Sequence, residues 1–169
     1  MIISEEEKQR LEEIYSFFFN DERVKRSLDV PMHRGSNVFV HSFKVAKLAI
    51  KRGLRHKKVN LEAILIASIL HDYYLYDWRR DKNKKKRHGR NHPFIAASNA
   101  KADFDITDEV QDIIHQHMWP INLKHFPKTK EARIVNLADD SIALKEALTS
   151  KKYKAKIQQK SMDFIDKLF

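Results

Sequence analysis

The 169-residue chain has no cysteine, which excludes disulfides, thiolate metal sites and cysteine nucleophiles. Any metal it holds must therefore sit on nitrogen and oxygen. Only three glycines and four prolines occur, and strand-like alternation is scarce, so a turn-rich β architecture is disfavoured. No apolar run approaches the roughly 18 residues that mark a membrane span. The opening MIISEEEKQRLEE is acidic and lacks the basic-then-apolar layout of a secretory leader. The expectation is a soluble, cytoplasmic protein with no membrane partner, folded as one domain over residues 1–169, a length sufficient to bury a core unaided.

What is present is positive charge and helical periodicity. Lys and Arg exceed Asp and Glu by 10, which favours an anionic partner such as a nucleotide, a nucleic acid or an acidic surface. Apolar residues recur at spacings of three and four from end to end, which predicts an all-α, compact single-domain helical bundle. Ser4, with Glu7 three residues on, predicts the start of a first helix that buries Leu11, Ile14, Tyr15 and Phe18 and ends near Asn20. Residues 21–36 contain Pro31 and Gly35 and read as a loop or short turns before a second helix that starts at about Asn37 and ends before Gly53. Asn60 caps a third, LEAILIASILHDYY. WRRDKNKKKRHGRN then reads as a polar loop, with His92 capping a helix whose first turn holds Pro93. Thr107 caps DEVQDIIHQHM, which Pro120 ends, a helix covers EARIVNLADDSIALKEAL, and a last one spans about 151–168.

The almost wholly apolar run from Ala63 to Leu70 ends in His71 and Asp72, and a buried charge needs a partner or a metal. Helical phase suggests where that partner lies. His41 shares a stripe with Val38, Val45 and Leu48, and His117 shares one with Val110, Ile113 and Ile114. His115 falls off that stripe, at the rim. Asp139 shares a face with Val135, Ala138 and Ile142, and phase prefers it modestly over Asp140. His92, read as lying at a helix start, is favoured in the neutral form that a metal requires. A single inward histidine is commonly a satisfied core residue. Four of them converging with two carboxylates point to a metal centre.

The order His41, His71-Asp72, Asp139, carried in VHSFKVAKLA, ILHDYYLYDW, HPFIAASNA, IIHQHMWP and VNLADDS, resembles the HD superfamily of metal-dependent phosphohydrolases over about Gly35 to Leu148. The resemblance implies that His41, His71, Asp72 and Asp139 hold one divalent ion. Asp72, His92 and His117 would hold a second, with Asp72 bridging. An all-N/O donor set favours iron or manganese. The implied function is hydrolysis of a phosphoester or phosphoanhydride in a small phosphorylated substrate such as a nucleotide. Small bacterial members that split dinucleoside tetraphosphates share the six-ligand order and are the leading specific candidate. Branches that hydrolyse cyclic dinucleotides carry adjacent histidines, whereas Gln116 separates His115 from His117 here.

Asp72, His88 and Arg79 are the expected catalytic residues. Arg79, Arg80, Arg34 and His115 are the expected phosphate contacts, since arginine grips phosphate oxygens bidentately. The eight Lys or Arg against one Asp over positions 79–90 otherwise read as a solvated surface. Tyr73, Tyr74, Tyr76, Trp78 and Trp119 either pack a base or belong to the core. A basic helical module that binds nucleic acid, or a regulatory domain of the same family without catalysis, is the rival reading. Nothing in the sequence decides the oligomeric state, and a homodimer is compatible with it.

Overall fold

The computed structural model describes residues 3–32, 36–80, 82–148 and 168–169. Seven α-helices and one 3-10 turn, and no strand, occur among them: α1 (Glu5–Asn20), α2 (Glu22–Lys25), the turn Arg26–Asp29, α3 (Val38–Gly53), α4 (Leu61–Leu70), α5 (Lys82–Phe104), α6 (Asp108–Gln116) and α7 (Lys130–Leu148). A lone antiparallel bridge joins Pro31 to Asn37. No helix among the described residues is long and apolar enough to cross a membrane.

The helix starts are set by side chains that accept orphan N–H groups. Ser4 Oγ accepts from Glu7 N, Asn37 Oδ1 from Val40 N, Asn60 Oδ1 from Ala63 N, Thr107 Oγ1 from Val110 N and Thr129 Oγ1 from Ala132 N. The buried face of α1 is Leu11, Ile14, Tyr15 and Phe18, as its periodicity predicts. Phe18 meets Phe104 at a centroid distance of 5.1 Å, and Tyr15 meets Phe43 edge-on at 5.1 Å, so this face ties α1 to α3 and α5.

The centre of the molecule is α4, apolar on every side and packed against α1, α3, α6 and α7. Leu61, Ile64, Leu65, Ile69 and Leu70 are all buried, each contributing roughly 1.5–3 kcal/mol relative to exposure. A helix so enclosed carries whatever follows its last turn into the interior.

Three boundaries differ from the sequence reading. First, α4 ends at Leu70 with His71 as its C-cap. The chain then turns tightly, with Tyr73 N on Leu70 O, Tyr74 N on Asp72 O, and Leu75 at φ 52°. Second, the basic stretch is helix rather than loop, and α5 runs through Pro93. Straight-chain residues are compatible with a helix by intrinsic propensity, and Pro93 forgoes one backbone bond inside it. His92 is thus mid-helix, not a cap, and the dipole argument for its neutrality does not apply. Third, α6 ends at Gln116 with His117 as C-cap, ahead of a cis Trp119–Pro120 bond. The helix expected near 151–168 lies outside the described residues except at its end, where Leu168 is buried and Phe169 N donates to Glu12 Oε1.

Candidate metal centre

Five segments deliver buried polar side chains to one place. α3 supplies His41, the end of α4 supplies His71 and Asp72, α5 supplies His92, the end of α6 supplies His117, and α7 supplies Asp139. All six are 7 % exposed or less. Three overlapping triads have ligand atoms within 4.8 Å of one another: His41, His71 and Asp72; His71, His117 and Asp139; Asp72, His92 and His117. Asp140, the weaker alternative on phase, is exposed, and His115 is half-buried beside the Phe94 ring, 4.9 Å between centroids.

Contacts within the group are short. His41 Nε2 lies 2.9 Å from Asp139 Oδ1, and His71 Nε2 lies 3.3 Å from Asp72 Oδ2 and 3.6 Å from Asp139 Oδ1. His92 Nε2 is 3.1 Å from Asp72 Oδ1 and His117 Nε2 is 3.8 Å from it. Asp72 therefore presents one oxygen to His71 and the other to His92 and His117, the arrangement of a shared carboxylate.

The opposite edges of the rings fix the tautomers. His71 Nδ1 donates to Ser68 O at 2.8 Å, His92 Nδ1 to His88 O at 2.9 Å and His117 Nδ1 to Ile114 O at 2.7 Å. A carbonyl can only accept, so each Nδ1 carries a proton, and each of these rings when neutral aims a lone pair from Nε2 into the group. His92 Nε2 and His117 Nε2 then face each other at 3.0 Å, and His71 Nε2 is buried without a hydrogen-bond partner. Repelling lone pairs and an orphaned buried nitrogen are costly in a dry interior unless a cation fills the space between them. His71 and His117 also end α4 and α6, where the helix dipole favours positive charge. The donor set of four imidazoles and two carboxylates fits divalent transition ions.

Electrostatics divide the group. Burial pushes the His117 imidazole down to about 3, reinforced by its neighbours His71 and His92. For His41, burial opposes the charge, but hydrogen bonds to Asp139 and Glu146 override it and push the ring up to about 9. His71 moves up as well, the Asp72 charge overriding its burial. Asp72 and Asp139, both buried, are nonetheless held well below the usual carboxylate range, Asp72 chiefly by His71 and Asp139 by its hydrogen bond to His41 and the neighbouring His71 ring. Without a cation, protons on His41 and His71 offset the two carboxylates.

The remaining expected site residues are dispersed. Arg79 is exposed, donates back to the Met32 carbonyl and lies over the Trp78 ring, 5.3 Å from guanidinium carbon to centroid. Arg80 is exposed and pairs with Asp77 at 3.1 Å. Arg34 lies outside the described residues. His88 stacks between Trp78, at 4.9 Å, and His92, at 4.5 Å, with Tyr76 Oη 3.1 Å from its Nδ1. Tyr73 and Tyr74 are core residues, the former donating to Asp103 Oδ2 at 2.8 Å.

Two residues were not foreseen. Asn136 donates from Nδ2 to His117 O at 2.5 Å and Trp119 O at 2.7 Å, tying the His117 turn to α7. Glu146, also buried, places Oε2 3.0 Å from His41 Nδ1. Both share the inner face of α7 with Asp139, three residues before and seven after it, and that spacing was the signal available.

The HD-domain family model matches residues 38–144, from the start of α3 nearly to the end of α7. The chain belongs to the HD-domain family, and the matched region contains all six converging residues. No curated protein and no solved structure matches it.

Proposed function

We propose that the chain is a phosphohydrolase that works with two divalent transition-metal ions, iron or manganese, held by His41, His71, Asp72 and Asp139 on one side and by Asp72, His92 and His117 on the other. The observation that carries this reading is the convergence of the His92 and His117 Nε2 atoms, 3.0 Å apart, with Asp72, beside a His71 Nε2 that is buried without a hydrogen-bond partner among the described residues. Two such ions bound together activate water near neutral pH and neutralise charge on a phosphoryl group during in-line displacement.

The chain's own residues set the geometry for that chemistry. The backbone carbonyls of Ser68, His88 and Ile114 hold three imidazoles in the ligating tautomer. Asp72, aimed both ways, keeps the two halves in register. Arg79 and Arg80, on the exposed segment that follows, are the proposed grips for substrate phosphate, with Arg34 and His115 as further contacts. His88, stacked on His92, is the proposed proton donor to the leaving group. The substrate class we propose is a nucleotide, with a dinucleoside tetraphosphate foremost.

Protein purified without chelators, or reloaded with Mn²⁺ or Fe²⁺, is assayed on phosphomonoesters, dinucleoside polyphosphates and deoxynucleotides. Asp72→Ala is expected to lower any hydrolysis found by more than the 10- to 100-fold typical of outer-shell changes. A protein that takes up no metal, or an Asp72→Ala variant of undiminished activity, overturns the reading. Salt-sensitive nucleic-acid binding by such a metal-free protein would favour the rival module.

A further inference from the structure

The four histidines differ in what holds the edge of the ring that faces away from the centre. His71, His92 and His117 each give Nδ1–H to a main-chain carbonyl, whereas His41 gives it to a carboxylate, Glu146 Oε2, at 3.0 Å. The other oxygen of that carboxylate is occupied. Glu146 Oε1 accepts from Lys44 Nζ at 3.1 Å and lies 3.3 Å from Ser36 Oγ. Two donors on Oε1 fix the plane of the carboxylate and leave Oε2 for the imidazole. Lys44 is one turn beyond His41 on α3, and Glu146 is two turns beyond Asp139 on α7, so the same pair of helices builds both the ligands and their support.

A carboxylate on Nδ1–H draws the ring proton more strongly than a carbonyl does, making Nε2 a stronger electron-pair donor and fixing the ring's direction. His41 Nε2 points at Asp139 Oδ1, 2.9 Å away. Resting on the metal-centre reading above, we infer that Glu146 is a positioning residue that makes the half of the centre built on His41 and Asp139 hold its cation more tightly than the half built on His92 and His117. The two halves then load in sequence, and Glu146 sets the gap between them.

The test titrates the metal-free full chain with Co²⁺, followed by calorimetry and visible absorption. Two resolved steps are expected in the wild type, with His92→Ala removing the weaker one. Glu146→Leu is expected to weaken the tighter step by 10- to 100-fold and leave the weaker step unchanged. Glu146→Gln, which keeps an acceptor for Nδ1–H, is expected to lose less. Thermal melts of the metal-free variants report folding, and if Glu146→Leu does not fold, Glu146→Gln carries the comparison. Unchanged steps in the Glu146 variants, or equal weakening of both, overturn this inference while leaving the metal centre standing. A wild type that binds no Co²⁺ overturns both.

Discussion

His92 and His117 meet Nε2 to Nε2 at 3.0 Å, with the Nδ1 proton of each ring already given to a backbone carbonyl. Two lone pairs in contact repel, and a cation between them converts repulsion to attraction. His92→Gln removes one lone pair and supplies an N–H. The metal-free variant is expected to be at least as stable as the metal-free wild type. The wild type gains about 2.7 kcal/mol at a metal concentration 100-fold above its Kd, and the variant is expected to gain less. Thermal melts with and without Mn²⁺ make the comparison, and a metal-free variant that melts well below the wild type contradicts it.

Loading the centre should expel protons. The folded His41 value of about 9 lies above the ordinary 6.5, so its ion pairs stabilise the metal-free fold fully below pH 6.5, and that contribution is lost as pH rises through 9. A ligating imidazole must be neutral. Binding near pH 7 is therefore expected to release up to one proton each from His41 and His71, with apparent affinity climbing towards pH 9. Calorimetry in buffers of different ionisation enthalpy counts the protons, and a count of zero contradicts the assignment.

Asn136 holds two carbonyls of the His117 turn from α7. Asn136→Ala leaves both without this donor, the His117 carbonyl in a buried position and the Trp119 carbonyl in a part-buried one, a loss of about 1–3 kcal/mol for one left unsatisfied. A lower melting temperature is expected, together with weaker metal binding in the half that contains His117. Metal-binding constants beside the melt separate the two effects.

Gly53 closes α3 against α4, and a Cβ there would meet Leu61 Cδ2 at 2.7 Å and Ile64 Cδ1 at 3.3 Å. Gly53→Val is expected to destabilise by about 1–3 kcal/mol through overpacking, with Gly53→Ala milder because a leucine methyl can rotate away. Urea unfolding measures both, and a more stable Gly53→Val would show that α4 has room to shift.

Helical phase, a property of sequence alone, points His41, His117 and, modestly, Asp139 inward. The stripe that runs through Val110, Ile113 and Ile114 favours His117 over His115, and the face of Val135 and Ala138 favours Asp139 over Asp140 only modestly. The caps Ser4, Asn37, Asn60 and Thr107 were legible for the same local reason. The start of α5 is not legible in the sequence because a proline marks a helix start as readily as an interrupted helix, and only packing decides which. Glu146 was hidden differently. Beside Lys145 near a helix end it looks like half of a solvated pair, and its partners Lys44 and His41 are 102 and 105 positions away.

The contact between His41 and Asp139 spans 98 positions of the chain. A covalent cross-link closing a loop of about 100 residues removes unfolded-state entropy worth about 4.7 kcal/mol. A cation gripped by both residues would impose a related constraint, as a clasp that a chelator opens and a reductant leaves untouched.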